Sequence, residues 1–533
     1  MIQAFGTQSC KVRPVKKVIK IGFLSMAAHL LPSYLYMNEI HNMRAKAVRQ
    51  MLDRSRRRNS SWRLTSVAIG LFALAISAHG IAAQSGAAPS QQPGVGAQVR
   101  TGVASGYDVD LRLANLLAEH QYARIESELG QLPPQQAQLY RGILANRTND
   151  VKKSNELLEP LAGAIDQSGR VIPEKLLRKT LGENYLRLGD LAKSAAQYQT
   201  LMTRIGDRLT SDELDEIELP AKLLQLAKNN PQMTVDPCDP FEMRVERNAL
   251  GLIDVPVYVD GHQRNWLLDP TTPLNLIARS VAKDAGLKIS SEEVTIHTLR
   301  GKPMQVRMAL IPRFTIAGQL TLHNMTAFVY DDADYDFPLS GYHVEGVLGY
   351  AGLAALSSIT ITDNNTVFVR PDKQIGRPNP NDHLRDGARF FLDGEQMIIA
   401  LGAPTDDAER AFLMAAGDTD SRMYAVDMGG QQTYLTTRYY NEHAPDFQSE
   451  KTHSFSLFGA PQILPVPAYT AETIPLTVGG VPVDLHYISV LTQPLGLAVR
   501  DDVYGLLGID ALDQLREYTF DFHTMRFSIR PER

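Results

Sequence analysis

Trp266-Leu267-Leu268-Asp269-Pro270-Thr271-Thr272-Pro273-Leu274-Asn275-Leu276-Ile277 brings one carboxylate to a sharp turn between two apolar runs. The layout returns as Tyr424-Ala425-Val426-Asp427-Met428-Gly429-Gly430-Gln431-Gln432-Thr433-Tyr434-Leu435. Gly301, in Leu299-Arg300-Gly301-Lys302-Pro303, follows Asp269 by 32 residues; Gly459, in Leu457-Phe458-Gly459-Ala460-Pro461, follows Asp427 by 32. Gly346-Val347-Leu348-Gly349 begins 77 residues after the first Asp, and Gly505-Leu506-Leu507-Gly508 begins 78 after the second. Three landmarks in one order, at an offset of about 158 residues, predict a duplicated unit. The expected product is a pair of half-sites with facing carboxylates.

The texture around these landmarks is β. Val255-Pro256-Val257-Tyr258-Val259-Asp260-Gly261 alternates and ends in Asp-Gly, which predicts a hairpin. Strand-like runs continue through Met304 to Leu310, Ile359-Thr360-Ile361, Ile474 to Val478 and Tyr518 to Phe522. Residues 245–372 and 388–533 are read as the two β units, with a polar, Pro-containing linker at 373–387. Residues 107–230 carry helical spacing instead, as in Leu111, Leu113, Leu116 and Leu117. The expected fold class is a helical domain followed by a bilobal β domain.

Upstream, Arg54 to Arg63 is basic, Leu64 to Ala78 is apolar, and small residues follow at Ala82 and Ala83. That order predicts a secretory signal, and an apolar run of about 15 residues is short for a spanning helix. Met51 directly precedes it, so translation is expected to start near there; residues 1–83 are set apart as extension and signal, and 84–106 as a flexible Gly/Ala/Gln/Pro spacer. The signal predicts a periplasmic or secreted protein, with membrane association only if the signal is retained as an anchor. Residues 1–83 hold 13 of the 54 lysines and arginines and 2 of the 59 acids, leaving 41 basic against 57 acidic residues downstream. An acidic chain without a basic stripe argues against nucleic acid as partner. Cys238 is the only cysteine beyond the signal, which excludes a disulfide framework and a thiolate metal site. No metal and no cofactor is expected. His343, His443 and His453 stand apart in sequence, and Asp331 to Asp334 reads as a solvated acidic loop.

Within the helical region, Leu181-Gly182-Glu183-Asn184-Tyr185 with Ser194 and Tyr198 resembles the tetratricopeptide repeat, in which a small residue lets two helices approach and aromatics fill the gap. Gly142, Ala145, Ser154 and Leu158 echo it at a spacing of 40 residues, wider than the ~34 of that repeat. The resemblance implies a protein-docking surface; a plain helical spacer packed on the next domain is the other reading.

In the β units, an Asp at an apolar turn, a Gly-tipped hairpin and a late Gly-hydrophobic-Leu-Gly resemble the retropepsin-like aspartic proteases, and two such units in tandem resemble the pepsin arrangement. The resemblance covers about half of the chain. It implies that Asp269 and Asp427 are a catalytic dyad sharing one proton and activating a water, since two adjacent carboxylates cannot both ionise. It implies that Gly301 and Gly459 tip substrate-binding flaps, that Gly346, Gly349, Gly505 and Gly508 pack behind the Asp turns, and that Thr271, Thr272, Gly429 and Gly430 support the dyad. The family's Asp-Thr/Ser-Gly is altered: Pro270 and Met428 stand in place of the hydroxyl residue and Thr271 in place of the first Gly, while Gly429 keeps the second. Thr271, Thr272 and Thr433 are the hydroxyls near enough in sequence to supply a polar brace. Two functions follow: an exported aspartic endopeptidase acting on peptide or protein substrates, or a catalytically degenerate protease fold that binds peptides, with the helices as a second docking surface.

Overall fold

The structure is a computed structural model and describes residues 106–530 apart from 271, 273, 298–302, 338–339, 372–386, 395, 403–420, 448–450, 458–464 and 496–501. The expected extension and signal at 1–83, nearly all of the spacer at 84–106, the linker at 373–387 save its last residue, Thr271, Gly301 and Gly459 therefore lie outside the described residues.

An N-terminal helical region leads into a larger β-rich region. The helices are α1 (Gly106–Ala118), α2 (Tyr122–Glu128), α3 (Pro134–Arg147), α4 (Val151–Leu158), α5 (Ala162–Ser168), α6 (Val171–Arg187), α7 (Leu191–Ile205) and α8 (Ser211–Ala227). The 40-residue echo in the sequence is a repeat of contacts. In the α3–α4 hairpin Leu158 lies so close over Gly142 that a Cβ there would meet it at 2.4 Å, and Ser154 Oγ donates to Gly142 O at 2.7 Å. In the α6–α7 hairpin Tyr198 covers Gly182 in the same way, at 2.6 Å, and Ser194 Oγ donates to Gly182 O at 2.7 Å. Asp150 and Asp190 cap the second helix of each hairpin through the backbone N–H of Lys153 and Lys193, which satisfies amides that have no partner within the helix. Thr210 and Glu213 close a capping box at α8.

The β-rich region opens with β1 (Thr234–Val235), β2 (Phe241–Arg244) and β3 (Glu246–Arg247), so strands begin in the stretch that the sequence marks as a domain boundary. A circuit of strands follows: β4 (Ile253–Val259), β5 (His262–Leu268), β6 (Asn275–Ala278), β7 (Val294–His297), β8 (Pro303–Ile316) and β9 (Leu320–Tyr330), then the two-stranded ribbon of β10 (Asp336–Phe337) and β11 (Tyr342–His343), then β12 (Gly346–Leu348). Next come β13 (Ser358–Thr362), β14 (Thr366–Arg370), β15 (Ala388–Asp393), β16 (Gln396–Gly402), β17 (Ser421–Val426), β18 (Tyr434–Leu435), β19 (His453–Phe455), β20 (Val466–Val478), β21 (Val481–Leu491), β22 (Gly505–Leu507), β23 (Glu517–Asp521) and β24 (Arg526–Ile529). The expected Asp-Gly hairpin joins β4 to β5, with Asp260 at φ 46° and Gly261 at φ 90°, the left-handed pair that matches strand twist.

The strand order repeats. The path β9-β6-β12-β5-β4-β8 closes through β8–β9 pairing, and β21-β18-β22-β17-β16-β20 closes through β20–β21. Each circuit contains one parallel pair beside its Asp strand: Val347 and Leu348 of β12 face Leu267 and Leu268 of β5, and Leu506 and Leu507 of β22 face Ala425 and Val426 of β17. Between the circuits runs a six-strand ribbon, β2-β14-β13-β23-β24-β15. Its middle pair is antiparallel, with Ser358 opposite Asp521, Thr360 opposite Thr519 and Thr362 opposite Glu517. Thr360 and Thr519 stand 159 positions apart and share a hydroxyl–hydroxyl hydrogen bond at 2.8 Å. Residues related by the repeat thus pair with each other, which places a local two-fold axis through this bond.

One apolar core runs through both circuits, with Trp266, Phe314, Phe390, Phe520 and Phe527 all below 2% exposure. A second core joins the helices to the outer face of the second circuit. There Phe391 of β15 inserts among Leu113, Tyr122, Tyr140 and Leu177, and Ala400 and Met423 pack against the same cluster. Asp331 to Asp334 forms a short 3-10 turn, where Asp331 pairs with Arg279 and Asp332 lies 3.5 Å from His343.

Candidate active site

Asp269 ends β5 and Asp427 ends β17. Every main-chain bond that fixes the first turn has a counterpart in the second. Asp269 N donates to Leu348 O at 3.2 Å and Asp427 N to Leu507 O at 2.9 Å. Thr272 N returns to Asp269 O at 3.2 Å and Gly430 N to Asp427 O at 3.3 Å. Tyr350 N donates to Thr272 O at 2.8 Å and Ile509 N to Gly430 O at 3.0 Å. Each Asp is therefore aimed by a backbone frame whose polar groups are satisfied by the strand beside it.

Gly429 connects the two turns. A Cβ on Gly429 would lie 2.5 Å from Asp269 Oδ2 and 3.5 Å from Asp427 Oδ1. The two carboxylate oxygens are thus no farther apart than those two lengths laid end to end, and the backbone between them has room for hydrogen alone. Gly430 is as tight against its own aspartate, with a Cβ reaching Asp427 Oδ2 at 2.3 Å. The expected pair thus comes together, with Asp269 6% exposed and Asp427 part-buried.

The surrounding polar residues divide unevenly. Thr272 Oγ1 donates to Asp269 Oδ2 at 2.7 Å, a brace within its own turn. Gly430 stands at the matching place in the second turn and brings no hydroxyl. Thr433 acts elsewhere: its Oγ1 donates to the carboxylate of Asp510, and Gly508 N donates to that same hydroxyl oxygen at 2.8 Å. Its counterpart is Asn275, whose Oδ1 accepts from Gly349 N at 3.2 Å and whose Nδ2 donates to Thr326 O at 3.3 Å. Asn275 was not among the expected site residues. Its signal is a polar residue inside the apolar run Leu274-Asn275-Leu276, at the position of Thr433 in the repeat, and 2% exposed.

The four late glycines pack behind the turns. A Cβ on Gly346 would meet the Trp266 ring at 2.3 Å, and one on Gly349 would meet Leu274 O at 2.2 Å and Thr272 O at 2.5 Å. Gly505 lies against Leu435 and Tyr434 O, and Gly508 against Gln432. Met428, in place of the family's hydroxyl residue, is fully buried. Tyr439, just beyond the second turn, is buried and stacks on His443 at 4.2 Å.

Residues 255–351 match the family model described as "Aspartyl protease". The chain contains an aspartic-protease-like domain. The matched segment spans the first circuit from β4 to the residues just after Gly349. A search of curated protein sequences found no match. Among solved structures, conglutin gamma, a basic 7S globulin from lupine seeds, aligns at 9% identity over 56% of this chain and 96% of its own, with a TM-score of 0.35. Basic 7S globulin from soybean aligns at 10% identity over 55% and 95%, with a TM-score of 0.34. A retropepsin-like aspartic protease from Rickettsia conorii aligns at 15% identity over 26% and 96%, with a TM-score of 0.19.

Proposed function

We propose that the two circuits are the lobes of a bilobal aspartic-protease-type domain, and that Asp269 and Asp427 together hydrolyse peptide bonds. The observation that carries this reading is Gly429, pressed against both carboxylates at once. Carboxylates so close share a proton, so that one is a base while the other is an acid. A water between them gives a proton to the carboxylate as its oxygen bonds the peptide carbonyl carbon, while the carboxyl donates its proton to the carbonyl oxygen. The tetrahedral diol then collapses, the C–N bond breaks, and the leaving nitrogen takes a proton from the dyad. The expected substrates are unstructured peptide or protein segments.

The brace on Asp269 suits a division of labour. Thr272 holds Asp269 Oδ2 as an acceptor, which keeps the shared proton off that atom. Thr272→Val removes a hydrogen bond to a charged group and is expected to lower kcat about tenfold with little change in KM, and Thr272→Ser is expected to restore it. An unchanged kcat in the valine variant would remove Thr272 from the mechanism.

A second reading is favoured by Pro270 and Met428, which leave both turns without a hydroxyl at the family's second position. On it, the domain binds peptides and does not cut them. Incubation of the purified protein with casein separates the two. New termini that accumulate with time support hydrolysis; retention of intact peptide without cleavage supports the binding module. The 40-residue helical hairpins support a tetratricopeptide-like docking surface beside the peptidase domain, and the basic and apolar segment near Met51 supports export to the periplasm or beyond.

A further inference from the structure

His120 sits in the turn between α1 and α2 with its side chain fully buried and its backbone at φ 56°, a left-handed conformation uncommon outside glycine and asparagine. The equivalent turns of the next two hairpins use Asn149 and Gly189 in that conformation. A histidine there has a reason that lies across the interface. Its Nε2 lies 3.0 Å from Asp502 Oδ2, and its Nδ1 lies 3.3 Å from Asp393 Oδ2 and 3.0 Å from Tyr122 Oη. Asp393 is also held by Arg147 at 2.9 Å, and Arg147 pairs with Glu183 at 3.0 Å; Lys179 of α6 adds positive charge toward Asp393 and Glu183.

The two carboxylates occupy particular places. Asp393 ends β15 at the turn into β16, and β16 pairs with β17, Ile398 facing Ala425. Asp502 precedes β22, which pairs with β17 on its other side and whose Leu507 O accepts from Asp427 N. His120 thus grips the entry to both strands that flank the strand carrying Asp427. A neutral imidazole has one N–H and can donate to only one of the two carboxylates; the doubly protonated ring donates to both.

We propose that His120 is a positioning residue whose second ring proton pins the helical region to both neighbours of the Asp427 strand. Gain of that proton tightens β16, β17 and β22 together, and its loss releases one of the two contacts. The pin does not depend on the peptidase reading. Its effect on turnover does.

Hydrogen exchange of the full-length protein at pH 5.5 and 8.0, corrected for intrinsic exchange, spans the range in which imidazoles titrate. In the wild type, segments covering β16, β17 and β22 are expected to be about tenfold better protected at the lower pH, the contribution of one charge-assisted hydrogen bond. His120→Asn keeps a residue that tolerates the left-handed turn but cannot titrate, and is expected to make protection the same at both. Asp502→Asn leaves the turn untouched and is expected to shrink the difference, so a folding defect in the first variant does not leave the question open. Wild-type protection without pH dependence, or the same dependence in His120→Asn, overturns the proposal. A protein that shows the pH-dependent protection yet cleaves no casein keeps the pin and loses the peptidase; one that cleaves casein with flat protection does the reverse.

Discussion

Asp269→Asn and Asp427→Asn are each expected to lower casein cleavage by about a thousandfold or more while leaving the thermal midpoint close to that of the wild type. Asparagine matches aspartate in shape but neither takes a proton from water nor gives one to a carbonyl oxygen. General acid–base catalysis is worth about 10² to 10⁴ in rate, and a dyad that works as one unit loses both functions when either member is replaced. The fold has little reason to respond. Asp269 receives Thr272 Oγ1 at 2.7 Å, a bond that an amide oxygen also accepts, and the bonds that aim the turn come from main-chain atoms. Initial rates at saturating substrate, beside a melting curve for each variant, make the check. Retained cleavage in either variant would end the dyad assignment. Loss of cleavage with a collapsed melting curve would show that the carboxylate is holding the turn together.

Much of this site was legible in the sequence because it was written twice. An Asp between apolar runs is ordinary, but Asp269 and Asp427 with Gly349 and Gly508 at nearly equal distances form a frame, and the structure gives those four residues the same bonding roles. The Asp260-Gly261 hairpin was legible for a local reason, since few dipeptides fit its left-handed turn. Ile359-Thr360-Ile361 and Tyr518-Thr519-Phe520 could be recognised as strand-like but not as partners, because pairing across 159 residues leaves no local pattern. His120 was silent for a stronger version of that reason: its carboxylates come from positions 393 and 502, and nothing near residue 120 signals them. Thr433 illustrates a third limit. Its hydroxyl stood near the second Asp in sequence, yet the strand direction after the turn carries it to Gly508 N and Asp510. Nearness along a turn does not say which face a side chain takes.

Gly349→Ala is expected to be the most destabilising single-methyl change in the domain, at about 3 kcal/mol or more. The cause is space, not conformation. Gly349 has φ −84° and ψ −179°, which alanine adopts freely. Its Cβ, however, would come within 2.2 Å of Leu274 O and 2.5 Å of Thr272 O, both main-chain atoms. Neither atom can withdraw alone: Thr272 O accepts from Tyr350 N at 2.8 Å, and Leu274 is joined to Asn275, whose side chain accepts from Gly349 N. Relief would require the Asp269 turn to move as a body. The repeat supplies a graded control. A Cβ on Gly508 would meet Gln432 C at 2.8 Å and Gln432 O at 2.9 Å, so Gly508→Ala should cost less, about 2 kcal/mol. Gly261→Ala, at φ 90° with no atom within 4 Å of a new Cβ, should cost only the left-handed backbone penalty of about 1 kcal/mol. Denaturation midpoints should therefore fall in the order Gly349→Ala, Gly508→Ala, Gly261→Ala, lowest first. The reverse order would mean that turn geometry outweighs packing, and that the backbone behind Asp269 yields more readily than its hydrogen bonds imply.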